Sequence, residues 1–418
     1  MAFISARTLY PSTLDSAEIM RCDKILEGLR ISIANKIHWA EAFATLGWKK
    51  NTAIIYDSNT WLALGKDISQ ALTAQGYSLV PIDLGIAPHA DMNTVQHICQ
   101  QAAPCDAMIA IGSGTINDLV KYSAHELRKP YAICATAPSM NGYLSVNSAI
   151  SEHGHKKSLP ASLPCAALFD VSVISNAPDR LKHAGIGDSL CRSTAQADWL
   201  LSHYLLNTFY DALPFKLLQP YEQSMIDGDD KALITTLLLS GLGMSLCGGS
   251  YPASQGEHLL AHYIDMRFPQ LGQYSFHGEQ IAITTIFMAS LQQSLLTMEA
   301  PPLWQTTLPE RGEVLQRFGE ETGQSVWLEW QAKCAAIGDV EHYNRHLAAN
   351  WQDIRQKITE IILPVDILAR SLEYAGAPTH AQAIRWTPEQ FREAAHNAHL
   401  IRNRFTFLDL AMLSQKVQ

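Results

Sequence analysis

A chain of 418 residues is too long for one small core, and its composition, 47% hydrophobic and 17% charged, suffices to bury two sizeable ones. Lys and Arg total 31 against 40 Asp and Glu, a net charge of −9 that gives no electrostatic reason to expect nucleic acid or an anionic membrane as partner. A small-molecule substrate is the expectation. Eight Cys lie scattered without a CxxC pair, which argues against a disulfide framework or a thiolate zinc knuckle and reads as buried thiols in a reducing cytoplasm.

The N-terminal stretch carries no basic segment followed by an apolar run and a small-residue cleavage site, so no secretion signal is expected. From about residue 50 to Asp170, short apolar runs alternate with amphipathic segments: TAIIYD, WLALGKDISQALTAQG, YSLVPIDLG, NTVQHICQQA, AMIAIGSG, YAICATAP and CAALFDVSVI. That rhythm predicts a βαβ, Rossmann-like α/β domain over 1–175, with a ligand-binding edge where the strands end. After Asn176, segments with helical periodicity dominate, among them SLCRSTAQADWLLSHYLL and GQSVWLEWQAKCAAIG, and predict an all-α domain over 176–418. The apolar run ALITTLLLSGLGMSLCGG (232–249) lacks flanking basic anchors and reads as a buried core helix rather than a membrane span.

Three groups of residues can carry chemistry. In MIAIGSGTINDLVKY a strand enters Gly112-Ser113-Gly114 and a helix starts near Thr115 or Ile116, where free N–H groups can hold a pyrophosphate; the same segment is compatible with an ordinary βα turn. Asp57, at the end of TAIIYD, is placed either to accept ribose hydroxyls or to cap a helix. In CATAPSMNGYLSVNSAI, the small and hydroxyl residues Thr136, Ser139 and Ser145 flank a Pro, a pattern open to a flat ring or to a plain connector. Asp188, His258, His262 and His277 form the third group. His258 and His262, four apart, share a helix face. His342 and His346 repeat the spacing and read as surface residues, so spacing alone does not establish a metal site.

Taken together, GSGTINDLVKY (112–122), TAPSMNGY (136–143), AGIGD (184–188), SYPASQGEHLLAH (250–262), FHGEQ (276–280) and IRNRFTFLDLAML (401–413) resemble the metal-dependent polyol dehydrogenase superfamily that contains glycerol dehydrogenase and dehydroquinate synthase. The likeness is strongest to its sn-glycerol-1-phosphate dehydrogenase branch. The resemblance implies an α/β cofactor domain and a helical metal- and substrate-binding domain with the active site in the cleft between them. It implies that Asp188, His258 and His277 ligate one divalent ion (Zn, Ni or Fe) and that His262 reaches the substrate. It further implies that Asp57, Gly112, Ser113, Gly114, Thr115, Ile116, Thr136, Ala137, Pro138, Ser139 and Ser145 line NAD or NADP, Asp57 tilting the choice toward NAD. The implied reaction interconverts dihydroxyacetone phosphate and sn-glycerol 1-phosphate in a homo-oligomeric enzyme. One departure stands out: Asn141 occupies a position where the branch commonly has a substrate-contacting Asp. An amide keeps the shape and hydrogen bonding but cannot take up a proton as a carboxylate does. Another polyol or ketone is therefore the nearest alternative substrate, and a dehydroquinate-synthase-like cyclisation the alternative from another reaction class.

Overall fold

The computed structural model describes residues 3–48, 51–305 and 308–414. Among the described residues, eight strands are formed: β1 (Arg30–Ala34), β2 (Asn51–Tyr56), β3 (Ser78–Asp83), β4 (Ala107–Gly112), β5 (Tyr131–Ala135), β6 (Asn147–Glu152), β7 (His155–Pro160) and β8 (Ala166–Asp170). Six of them make one sheet in the order β1-β8-β5-β4-β2-β3, every pairing parallel. Strands covered on both faces need apolar side chains throughout, and β4, β5 and β8 are buried at every position. β6 and β7 form a separate two-stranded ribbon.

The order reverses at β2. The chain leaves β2 for β3 on one side and then crosses to β4 on the other, so the C-terminal ends of β2 and β4 flank a topological switch point, where an open parallel sheet leaves a crevice for a ligand. The expected strands and helices of this half are in place. β1 and the β6–β7 ribbon are additions that the apolar rhythm did not signal.

Two compact units divide the chain. The first comprises the chain through Glu152, Lys156–Ile186 and Leu213–Ser250; the second comprises His153–His155, Gly187–Ala212 and the chain from Tyr251 onward. The expected boundary near residue 175 lies inside the first unit, and the division falls within the helix Asp179–Leu190. The apolar run at 232–249 forms most of the helix Asp230–Leu246, which belongs to the sheet-containing unit. Leu237, Leu238 and Leu242 are fully buried there, each contributing about 1.5–3 kcal/mol. Its glycines explain the Gly-rich composition: a Cβ on Gly241 would meet the backbone of Leu144 at 2.6 Å. No described helix is long and apolar enough to cross a membrane.

The second unit is helical, its core gathered around Trp330, Trp351, Trp386, Tyr263 and Phe405. Within it the buried Lys333 ammonium pairs with Asp409 at 2.8 Å and donates to the His399 carbonyl. Asp409 also accepts from the Thr406 N–H and hydroxyl, fixing the start of the helix Phe407–Leu413. Burial and the neighbouring Lys333 charge push His399 down to about 3. An unfolded chain takes up that proton near pH 6.5, so the folded state loses stability as pH falls from about 6.5 to about 3, by up to about 1.4 kcal/mol per pH unit. Urea midpoints measured across this range are expected to fall more steeply with acid for the wild-type chain than for His399→Gln. Parallel slopes would contradict the assignment.

Candidate metal and cofactor sites

Asp188, His258 and His277 converge within the second unit. Asp188 lies on the helix Asp179–Leu190, His258 in the first turn of Gly256–Arg267, and His277 is the first residue of His277–Leu296. Three helices can present ligands this closely only if their backbones approach, and glycine allows it: a Cβ on Gly187, beside Asp188, would collide with the Gly278 carbonyl, beside His277. One ligand atom from each residue lies within 4.8 Å of the other two. The rings of His258 and His277 are 5.1 Å apart, and both Asp188 and His258 are buried.

The ring nitrogens are assigned by their partners. His258 Nδ1 is 2.9 Å from the Glu257 carboxylate, which only accepts, so the proton sits on Nδ1 and the Nε2 lone pair is left for a ligand. His258 Nε2 lies 3.4 Å from Asp188 Oδ1. Two donors about 2.0–2.1 Å from one tetrahedral ion would be separated by about 3.3 Å, so these two atoms fit a shared divalent ion. Burial alone would pull His258 down, but the neighbouring Asp188 and Glu257 carboxylates outweigh it and hold the imidazole above its ordinary value. Such a carboxylate behind a ligating histidine fixes its ring and raises its basicity.

Glu257 is itself fully buried and held by the Gln255 N–H at 2.7 Å and the Thr194 hydroxyl at 3.2 Å. Behind it stands Asp198, which accepts from Gly256 N–H, Phe407 N–H and Gln292. Burial and the Glu257 charge push Asp198 up to about 8 against those donors. Cys191 also approaches Glu257 and His258. Burial pushes its thiol far above the ordinary value and it lies 3.0 Å from the Asp188 carbonyl, so it acts as a neutral hydrogen-bond donor rather than a thiolate ligand.

His262, one turn beyond His258, is buried with its ring 5.8 Å from His258 and 5.5 Å from His277. Its Nδ1 faces Arg402 Nη2 at 3.4 Å. A guanidinium only donates, so Nδ1 accepts and the neutral ring carries its proton on Nε2. By contrast His342 is exposed on the helix Val340–Thr359, while His346, expected at the surface, is half-buried and bonded to the Tyr204 carbonyl at 2.9 Å.

The residues expected to line the cofactor lie in the first unit at the C-terminal ends of adjacent strands. Asp57 follows β2, Gly112 ends β4, and Thr136 to Ser139 follow β5, with Thr136 N–H bonded to the Gly112 carbonyl at 3.1 Å. Ser113 precedes the helix Gly114–Leu127 and makes no side-chain cap, leaving the helix start to a ligand. A Cβ on Gly112 would meet the Ile116 side chain at 2.6 Å, so the turn takes glycine. Asp57 Oδ1 accepts from Asn59 and Thr60 N–H, each at 2.8 Å, which makes it the cap of the helix that follows β2.

Sequence reasoning passed over Lys121. Fully buried on the helix Gly114–Leu127, it donates to the Gly142 carbonyl (2.5 Å), Ser145 Oγ (3.0 Å) and the Asn147 carbonyl (3.0 Å), and pairs with Asp118 at 3.3 Å. Asp118 in turn accepts from Ala149 N–H. This one ammonium ties the loop carrying Asn141 and Ser145 to the helix behind Gly112–Gly114. A lysine amid the apolar positions of INDLVKYSA was the available signal. Lys121→Met is expected to remove the cation bonded to the half-buried Asp118 and to cost up to about 3 kcal/mol in urea unfolding; a loss below about 1 kcal/mol would contradict this account.

Residues 34–178 match the family described as iron-containing alcohol dehydrogenase. Over 401 residues the chain is 26% identical to a glycerol-1-phosphate dehydrogenase, named as using NAD(P)+, of Geobacillus thermodenitrificans, covering 90% of this chain and 92% of that one. A protein of the same name from Thermococcus kodakarensis is 31% identical over 277 residues, covering 64% of this chain and 75% of its own. In fold, the chain is similar to a probable glycerol dehydrogenase from Sinorhizobium meliloti, with a TM-score of 0.57, 16% identity, and coverage of 92% and 97%. With its parallel sheet, its helical unit and its Asp-His-His cluster, the chain belongs to the glycerol-1-phosphate dehydrogenase family.

Proposed function

We propose that this chain is a metal-dependent NAD(P)H oxidoreductase interconverting dihydroxyacetone phosphate and sn-glycerol 1-phosphate. The convergence of Asp188, His258 and His277 with Glu257 behind His258 carries this reading. In it, the sheet-containing unit binds the nicotinamide through Asp57, Gly112–Ile116, Thr136–Ser139 and Ser145, and the helical unit binds metal and substrate. An ion held by Asp188, His258 and His277 supplies Lewis-acid polarisation of the substrate carbonyl, and the nicotinamide supplies the hydride.

The protein's residues do the rest. One carboxylate and two imidazoles suit Zn, Ni or Fe and leave coordination positions open, as a catalytic site needs. Glu257 keeps the His258 ring oriented with its lone pair toward the site. His262 holds its proton at Nε2 and donates it in a hydrogen bond to the substrate oxygen, stabilising charge as it develops there, while water delivers the proton. Asn141 orients a substrate hydroxyl by hydrogen bonding and takes no proton. Asp57 disfavours a 2′-phosphate, so NADH is the preferred reductant.

Purified protein loaded with Zn, Ni or Fe is expected to oxidise NADH when given dihydroxyacetone phosphate, followed by loss of NADH absorbance. Turnover of unphosphorylated ketones with none of dihydroxyacetone phosphate would sink the reading and favour another polyol, the substrate class that Asn141 itself favours. Elemental analysis separates the histidines: His258→Ala and His277→Ala lose the ion, whereas His262→Ala retains it and loses turnover. Glu257→Gln is expected to weaken metal affinity by roughly 10- to 100-fold, measured by chelator competition. Asn141→Asp is expected to raise turnover of dihydroxyacetone phosphate; an unchanged or lower rate would show that Asn141 does not limit proton transfer.

A further inference from the structure

Arg402 and Arg404 stand two residues apart in the segment joining Ala398–Ile401 to the helix Phe407–Leu413. The buried Arg402 feels the charge of the half-buried Arg404, and such like-charged neighbours persist where something of opposite charge is brought to them. Arg402 is only 8% exposed and reaches His262, which neighbours the Asp-His-His cluster. Arg404 donates to the Ser254 carbonyl and lies over the Tyr251 ring at 4.8 Å.

The segment is fixed from several sides. Asn403 N–H donates to Glu329 at 3.0 Å, Phe407 N–H to Asp198 at 2.9 Å, and Phe405 and Phe407 are buried in the helical core. The guanidinium groups are therefore held before any ligand arrives, which lowers the ordering cost of binding one. Burial and the Arg404 charge push Arg402 down to about 9, and burial lowers Arg404 as well. The carboxylates acting on them are Glu329, which acts on both, and Glu257, which acts on Arg404 and also serves His258.

We propose that Arg402, with Arg404 beside it, forms the subsite for the phosphate group of the substrate; this rests on the function proposed above and names the residues that select a phosphorylated ketone. Guanidinium is the side chain best matched to a phosphate dianion, through paired N–H donors and a permanent charge. In dihydroxyacetone phosphate only a methylene and an ester oxygen separate the reacting carbon from the phosphorus. Arg402 contacts the histidine whose ring lies beside both histidines of the metal cluster, so the two ends of so short a substrate would fall to neighbouring side chains. The same contact lets the bound phosphate and the hydrogen-bond-donating ring share one anchor.

The test compares metal-loaded wild type, Arg402→Gln and Arg402→Lys, with circular dichroism and metal content measured alongside. Charged hydrogen bonds of this kind carry a loss of roughly 10- to 100-fold. For Arg402→Gln, kcat/KM for dihydroxyacetone phosphate is expected to fall that much further than kcat/KM for dihydroxyacetone, mainly through KM. Arg402→Lys, which keeps the charge but not the fork, is expected to fall between. Equal losses on both ketones would overturn the proposal and leave Arg402 as a residue that only positions His262. Binding of inorganic phosphate, read by thermal shift, separates this failure from failure of the proposed reaction. If wild type ignores dihydroxyacetone phosphate, stabilisation by phosphate that is lost in both variants still upholds an anion subsite, and absence of stabilisation in wild type overturns it.

Discussion

The hydrogen bond between Glu257 and His258 is the constraint around which the helical unit is arranged. A fully buried carboxylate is costly unless its oxygens are satisfied, and here the Gln255 N–H, the Thr194 hydroxyl and the His258 ring satisfy them. Meeting those demands fixes the start of the helix Gly256–Arg267, and with it the face on which His258 and His262 stand. Asp198 extends the arrangement by accepting from Gly256 N–H on one side and Phe407 N–H on the other. One network thus aligns the helix bearing the two histidines with the helix that follows Arg402 and Arg404.

The sheet-containing unit solves a different problem with a similar device. A crevice at a switch point follows from topology alone, but the loops around it need a fixed course before they can hold a ligand. Lys121 provides that course for residues 142–147 by donating at once to two carbonyls and a hydroxyl along it. Its charge is compensated by Asp118, whose second oxygen takes Ala149 N–H. A buried ion pair adds little net stability when weighed against apolar side chains, so its value here is positional.

The central strands were legible in the sequence because β4, β5 and β8 are apolar along their whole length, the pattern required when both faces are covered. β1 was not, because it is only five residues long and only two of them are buried. The β6–β7 ribbon escaped because it is largely polar and few of its residues are buried. Placement of 213–250 with the sheet was equally hidden: a helix buried all round, as Asp230–Leu246 is, has no polar stripe to say which neighbours it meets. At the site, a four-residue histidine spacing was not diagnostic, since His342 and His346 share it and bind nothing in common. What distinguishes His258 is Glu257 next to it and Gly187 and Gly278 bringing the other ligands near, and these are tertiary facts.

In the proposed reaction, Asn141 and the arginine pair would bear on substrate choice in physically different ways. Exchanging a carboxylate for an amide at 141 removes a charge while leaving a donor and an acceptor, so a hydroxyl is still recognised. Substrates that differ in a hydroxyl's neighbours are discriminated weakly by such a group. A phosphate, by contrast, carries charge that an apolar or neutral pocket rejects strongly, and it is accepted where cations are already desolvated and fixed. On the proposed function, selection for a phosphorylated ketone would rest on Arg402 and Arg404, while Asn141 would bear on the rate at which protons move. An amide at 141 would then alter the proton route and leave the proposed phosphate subsite in place.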